Sequence, residues 1–348
     1  MSIKEQKISV IIPHYNGEDI LRDCLKSLMS STEVPLEIIV VDNASTDSSM
    51  DMVRRDFPDV KIVSLSENLG FAGGCNVGIR ESSAEYVLIL NNDTVHESGW
   101  IEHLLSKIES DISIAAVQPK LISYQDNEYF DYSGAAGGEM DIFCFPFARG
   151  RIFEYVERDT GQYDSLSDRI FWASGTAFLA RRDVLIEAGL FDENFFAHME
   201  EIDLQWRLQL MGYKIVTEPK AVVKHRSGYT LGAESPLKKY LNHRNSLFMM
   251  ITNYRPLLAI YLLPIRIFLD YTALIQALFR RDFGRSFAII RAHLWVASHP
   301  VKIFRKRGQI KSIRKLKDRE ILQYLYHGSI ALNYYLLDKK KYLEIFLD

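Results

Sequence analysis

Four short apolar segments, separated by helix-like stretches and each followed by polar residues, limit most strongly what this chain can fold into. "ISVIIP" (8–13), "LEIIVVD" (36–42), "VKIVSL" (60–65) and "YVLIL" (86–90) are rich in Val, Ile and Leu. They do not alternate with polar residues, which fits strands buried on both faces. Between them, "GEDILRDCLKSLMSS", "SSMDMVRRDF" and "AGGCNVGIRES" carry helical spacing, and "ESGWIEHLLSKI" follows the last strand. This βαβαβαβ order predicts an α/β fold with a mostly parallel sheet and helices on both faces. The polar ends, "PHYNG", "VDNASTD", "SENLGFAGGCN" and "NNDT", then share the edge at which parallel sheets bind ligands. One such end can be a helix cap; four together predict a pocket.

From about residue 119 the rhythm breaks, and the glycine- and aromatic-rich stretch 123–151 reads as a long loop or irregular sheet edge. Regularity returns with "RIFWASGTAFLARRDVLIEAG", a strand and a helix ended by Gly189, then with the helix "EEIDLQWRLQLMG" and two short strands, "YKIVTE" and "AVVKH". After Arg255 comes "PLLAIYLLPIRIFLDYTALIQALFRR". Pro264, Arg266 and Asp270 interrupt it too often for a spanning helix. At 100° per residue Arg266, Asp270, Gln276, Arg280 and Arg281 share one side, as in an amphipathic helix. Two parts are expected, residues 1–254 and a helical region 255–348.

Charge divides at the same place. Residues 255–348 hold 18 of the 42 Lys and Arg but 7 of the 45 Asp and Glu, a net of +11 against −14 for the rest. Basic regions attract membranes or nucleic acid; we expect the membrane and no nucleic acid. Arg280, Arg281, Arg285, Lys302, Arg305, Lys306, Arg307 and Lys311 could meet anionic headgroups. The competing reading is that the same apolar stripes pack on the first part or join two copies in a homodimer. Three scattered cysteines, Cys24, Cys75 and Cys144, suggest reduced thiols, and the polar opening "MSIKEQK" does not read as a signal peptide. The expected location is the cytoplasm, at the inner face of the cytoplasmic membrane.

Several residues carry candidate chemistry. Asp42 can accept bonds from a base or ribose, or cap the next helix. The glycines of "NLGFAGGCN" let backbone approach a phosphate at a helix start. Glu200, Glu201 and Asp203 at a helix N-terminus either suit the helix dipole or supply a general base. His225 is a structural histidine or, beside Asp93, a metal ligand.

As an ordered series, "PHYN", "VVDNASTD", "ENLGFAGGCNVG", "LNNDT", "ASGTAFLARRDVL", "GLFDENFF", "EEIDLQWR" and "KH", over about residues 7–230, resemble the family 2 glycosyltransferases, and most of all the rhamnosyltransferase-like branch that builds bacterial surface polysaccharides. The resemblance implies a GT-A fold and inversion at the anomeric carbon. It implies transfer from a nucleotide-diphosphate sugar, dTDP-rhamnose among them, to a glycan or lipid-linked acceptor. It places "NND" at the family's metal-binding DXD motif, so Asp93 and His225 would hold Mg²⁺ or Mn²⁺, with Asn91 in place of the first Asp. It makes Glu201 the base, with Asp203 as the alternative. Pro13, Tyr15, Asn16, Asp42, Asn68, Gly70, Gly73, Asn76, Asn91 and Asn92 would bind the donor, and Trp172, Gly175 and Glu200 would lie on the acceptor side.

Rival readings fare worse. A nucleotidyltransferase would want a glycine- and arginine-rich loop after the first strand, and a dinucleotide-dependent dehydrogenase its glycine fingerprint there; this chain has "PHYNG". A catalytically inactive nucleotide-sugar-binding or scaffold protein of the same fold remains the alternative.

Overall fold

The structure, a computed structural model, describes residues 6–226 and 235–346. Most of the opening stretch read for a signal peptide, residues 1–5, lies outside them. The four apolar segments form β1 (Ile8–His14), β2 (Leu36–Asp42), β3 (Lys61–Ser64) and β4 (Tyr86–Leu90), parallel in the spatial order β3-β2-β1-β4. Between them run α1 (Glu18–Ser30), α2 (Ser49–Asp56) and α3 (Gly70–Glu81). Every residue of β1 and β4 is buried, as their unbroken apolar runs require. α3 packs closely because Gly78 has no side chain: a Cβ there would sit 2.3 Å from Ile11 Cγ2.

Beyond β4 come β5 (Thr94–His96), α4 (Trp100–Glu109) and β6 (Ile114–Ser123). The sequence pattern gave no strand over β6, because "VQPKLIS" breaks the apolar run. The fold compensates its polar residues: Lys120, 6% exposed, pairs with Asp159 and Asp164, and Gln118 bonds the Gly134 carbonyl. The stretch read as an irregular edge instead holds most of a small antiparallel sheet. It contains β7 (Gly138–Met140), β8 (Pro146–Ala148), β9 (Arg151–Ile152) and β10 (Tyr155–Val156).

β11 (Arg169–Ile170) and β12 (Ala177–Arg181) return to the main sheet, and α5 (Arg182–Glu187) and α6 (Glu200–Leu210) follow. β13 (Lys214–His225) is one strand rather than two, with a register shift between Glu218 and Val222 where it pairs with β6. The main sheet is ordered β11-β13-β6-β12-β4-β1-β2-β3, with β5 on β13.

The C-terminal region is helical: α7 (Pro236–Asn253), α8 (Pro256–Phe279), α9 (Phe283–Ser298), α10 (Pro300–Ile313), α11 (Asp318–Leu322), α12 (Ile330–Tyr335) and α13 (Leu343–Phe346). One apolar cluster joins Trp172, Ile202 and Trp206 to Phe248, Leu262 and Leu269, so residues on both sides of position 254 share a core. An amphipathic helix ordinarily turns its apolar side inward. α8 buries Leu262, Leu269 and Leu274 but also Arg266 and Asp270, 1% and 0% exposed, while Leu257 and Phe279 are each 85% exposed. Two of the basic residues expected at headgroups are also engaged inside. Lys306 is buried between Asp192 and Asp203, and Arg307 donates to the Ile251 carbonyl.

Candidate active site

The polar strand ends open on one cleft of about 520 Å³. Its floor comes from β1 and β4, its sides from the α3 start, the turn before β12, the α6 start and the end of β13. Twelve residues singled out in the sequence line it: Pro13, Tyr15, Asn68, Gly70, Asn91 and Asn92 on the donor side, Trp172, Gly175, Glu200 and Glu201 across from them, and Asp93 with His225. A larger cavity, about 860 Å³, lies between α10 and residues 187–194. Its charged lining is partly spent on the Lys306–Asp192 and Arg207–Asp203 pairs, and it is remote from the strand ends.

Five candidates lie outside the cleft lining, and their contacts show why. Asn16 Oδ1 accepts the Thr46 N–H at 2.9 Å and Asp42 Oδ1 the Ser45 N–H at 2.8 Å. These carboxylate and amide groups shape the turns after β1 and β2, the capping-type role open to Asp42 from the start. At Gly73 a Cβ would meet the Leu69 side chain at 2.5 Å, so the position serves the helix start. Asn76 bonds both the N–H and the carbonyl of Phe191, at 2.9 Å each, and ties α3 to the segment before α6. Asp203, the alternative base, is fully buried on the far side of α6. Arg207 Nε donates to it at 3.0 Å, Asn253 Nδ2 at 2.8 Å, and Lys306 lies 2.8 Å away. It cannot reach an acceptor in the cleft.

Asp93 is 4% exposed, and its Oδ1 accepts no well-formed hydrogen bond, although His225 Nε2 lies 3.1 Å away. On the other side His225 Nδ1 lies 2.9 Å from Asp131 Oδ1. Burial opposes charge on this imidazole, but Asp131 and then Asp93 outweigh it and raise its pKa to about 10. The site is therefore built to hold positive charge between two carboxylates. Among the described residues no group of three or more His, Cys, Asp or Glu is arranged to hold a metal ion. The donor set still fits a divalent cation whose other positions are filled by a ligand's oxygens, and the carboxylate behind the imidazole is a common outer-sphere partner.

Glu200 and Glu201 begin α6 after a tight loop in which Phe196, His198 and Met199 all have positive φ, 64°, 66° and 71°. Such conformations cost non-glycine residues roughly 1 kcal/mol or more each, a cost the surrounding packing must offset to aim the helix start at the cleft. Oε2 of each glutamate is buried without a hydrogen-bond partner, and among the described residues neither forms an ion pair. Burial raises Glu201 to about 7; burial and the neighbouring Glu201 carboxyl raise Glu200 well above the carboxylate range. Gly175 lies between the Phe71 ring and Glu201: a Cβ there would crowd Phe71 at 3.2 Å and lie 3.9 Å from Glu201 Cβ.

Sequence reasoning missed several cleft residues. His14 sits under the strand ends, its Nδ1 2.7 Å from Asn92 Nδ2, and burial lowers it to about 4. Arg151, 8% exposed, lies with its guanidinium 5.0 Å from the Tyr132 ring and forms no ion pair among the described residues. Asp131, Tyr132 and Arg151 come from the stretch read as irregular, which carries no local signal of the sheet that positions it. His14 stood in view in "PHYNG"; only its neighbours were chosen.

Comparison with known proteins agrees with this geometry. The family model described as glycosyl transferase family 2 matches residues 9–189. An N-acetylglucosaminyl-diphospho-decaprenol L-rhamnosyltransferase of Mycobacterium tuberculosis is 25% identical over 261 residues, 71% of this chain and 84% of that protein. A poly-beta-1,6-N-acetyl-D-glucosamine synthase of Staphylococcus epidermidis is 27% identical over 218 residues, 62% of this chain and 48% of the other. Among solved structures, GalNAc-T7 with UDP, GalNAc and Mn²⁺ superposes with a TM-score of 0.56 at 17% identity, over 72% of this chain and 48% of that one. S. aureus TarS 1–349 gives 0.50 at 18%, over 74% and 69%. The fold is thus of the GT-A type, and with more than half of its length matched by the family model, the chain belongs to glycosyl transferase family 2.

Proposed function

We propose that this glycosyltransferase is inverting and metal-dependent. Its sugar would come from a nucleotide-diphosphate donor, with dTDP-rhamnose the first to test, and pass to a glycan or lipid-linked acceptor of bacterial surface polysaccharide, at the inner face of the cytoplasmic membrane. The catalytic part is residues 1–254. One observation carries the reading: a single cleft sets Asp93 and His225 against Glu200 and the half-buried Glu201, whose Oε2 atoms find no hydrogen-bond partner among the described residues.

Each residue has a definite task. Asp93 and His225 would hold the divalent metal, and Asp131, 2.9 Å from His225 Nδ1, would orient the imidazole. That metal, when bound, offsets the charge that builds on the departing diphosphate. Asn68 and the Gly70 turn face the donor, and Arg151 supplies a second positive charge for an oxyanion in the cleft. Glu201 takes the proton of the acceptor hydroxyl. The freed oxygen forms its bond to the anomeric carbon from the face opposite the diphosphate, which leaves with the electron pair of the broken bond. One displacement inverts the centre. Glu200, raised by burial and by the neighbouring Glu201 carboxyl, keeps its own proton and leaves Glu201 as the group that exchanges one. The relatives' names support the substrate classes, a rhamnosyl donor and a diphospho-lipid acceptor.

A thermal-shift screen of nucleoside diphosphates, with and without Mn²⁺ or Mg²⁺, tests the reading. A ligand of the folded state raises its apparent stability, and we expect one base to do so only with metal. Asp93→Ala should remove the metal-dependent part of that shift and leave the unliganded melting curve in place. Full transferase activity in EDTA would refute the metal assignment. A scaffold without chemistry would bind the donor and never consume it.

A further inference from the structure

The turned-in polar side of α8 leaves an apolar surface that the rest of the molecule does not cover. On α8 the exposed residues Leu257, Tyr261, Phe268, Ile275 and Phe279 recur at spacings of four and seven, so they form one stripe. On α9, Phe283, Phe287 and Leu294 recur at spacings of four and seven and form a second, and α10 adds exposed Phe304 and Val301, the latter at the rim of the larger cavity. All ten are at least half exposed.

The outward face is locked in place. Arg266 Nη1 donates to the Phe143 carbonyl at 2.6 Å and to Ser246 Oγ at 2.8 Å, and Nε donates to Asp270 Oδ2 at 3.2 Å. His293 from α9 and His243 from α7 complete the ring around Asp270, at 3.1 and 3.4 Å. Rotating α8 to hide its apolar stripe would tear an arginine and an aspartate from these partners. By length and composition α8, 24 residues long, could cross a membrane, with a mean hydropathy of 1.7 over an 18-residue window. Its Arg266 and Asp270 are bound to α7 and α9, however, so it lies along the body.

The charge around the stripes identifies the occupant. Over residues 255–313 the acidic side chains are Asp270, which is buried, and Asp282, which caps α9 and pairs with Lys239. The exposed charges beside the stripes are basic, among them Arg280, Arg281, Arg291, Lys302 and Arg305. A second copy of this face would bring like charge against like charge. An anionic bilayer supplies both an apolar interior and the opposite charge.

We propose that the outer face of α8, α9 and α10 is a membrane-seating surface. Its two apolar stripes sink into the acyl region of one leaflet, and the flanking arginines and lysines stay at phosphate level. This deepens the reading of a lipid-linked acceptor and rests on that reading for its purpose, but its evidence is the surface alone. Contact is then made chiefly by immersion of apolar side chains, with the basic rim selecting the leaflet.

Flotation of the full chain with phosphatidylcholine vesicles, with and without phosphatidylglycerol, tests this. We expect binding to the anionic vesicles that salt weakens but does not abolish. Phe279→Ser, Phe287→Ser and Phe304→Ser lie on the surface and should leave the circular dichroism and melting curve unchanged. Each should weaken vesicle binding roughly tenfold. Arg280→Glu with Arg281→Glu should remove the preference for phosphatidylglycerol. No binding to either vesicle, binding that the three Phe variants keep in full, or a soluble dimer that those variants dissociate would each overturn the proposal. Transfer to a water-soluble acceptor is assayed separately. Activity without vesicle binding sinks the seating surface alone, and vesicle binding without turnover of any donor sinks the transferase reading alone.

Discussion

Two buried acidic centres in this molecule have opposite surroundings. Glu200 and Glu201 open α6 at the cleft and pair with no cation among the described residues, and burial pushes Glu201 up to about 7. Asp270, in the middle of α8, is also inaccessible to solvent, yet Arg266, His243 and His293 surround it. Burial works against its charge, but Arg266 and then the two histidines outweigh burial and hold its carboxyl well below the usual range. The first centre keeps carboxyls near the pH at which protons are exchanged. The second keeps a permanent charge that fastens three helices together. Burial of an acid does not by itself mark function; the absence of a counter-charge in an open cleft does.

The largest test of this contrast is catalytic. Glu201→Gln should lower turnover by roughly 10²- to 10⁴-fold, as loss of a positioned base does, with nucleoside diphosphate binding unchanged by calorimetry. Asp203→Asn disturbs the Arg207–Lys306–Asn253 network, so its effect should appear in melting temperature. If instead Asp203→Asn abolishes turnover in a protein of normal stability while Glu201→Gln is active, the two centres have been misread.

On the architectural side, Asp270→Ala should cost about 3–5 kcal/mol in urea unfolding, because it strands a buried arginine. A loss below about 1 kcal/mol would mean that the cluster is not what pins α8. The same glutamate then offers a test of the opposite sign. The Glu201 carboxyl, about 7 in the fold against an ordinary 4.5, holds a proton that the unfolded chain releases. Its favourable share is complete below about pH 4.5 and is lost as the pH rises through 7. Glu201→Gln should therefore stabilise the protein by about 1–2 kcal/mol at pH 8 and by almost nothing at pH 4, read from paired melting curves. A pH-independent difference would put the carboxyl in an ordinary environment. Smallest of all, Phe287→Ser should change stability by no more than about 0.5 kcal/mol, as surface positions do. A cost of 3 kcal/mol would show that its ring is covered in solution.

How much of this was readable in advance differs by region. β1, β2, β3 and β4 were legible because a strand buried on both faces needs a continuous apolar run, and that need is local. The shared polar edge followed from topology, and it brought twelve candidates into one cleft. Asp42, Asn16, Gly73 and Asn76 carried the same polar or glycine signature and make contacts in turns and helix packing outside the cleft lining, because the same local chemistry serves a ligand contact and a backbone contact. β6 was invisible because Gln118 and Lys120 find their partners in residues 134 and 159–164.

By itself the sequence determined the alternating α/β order, the ligand-binding edge, the family and the charge division between the two parts. Only the tertiary structure decided which acid meets the cleft. Glu201 and Asp203 lie two positions apart on one helix, about 200° around its axis, and the packing of α6 on α7 and α10 fixes which of them points inward. It also decided that α8 takes Arg266 and Asp270 inside and leaves a stripe of large apolar residues exposed. Periodicity states that a helix has two faces; which one is buried depends on what waits on the other side, here Asp270's partners on α7 and α9.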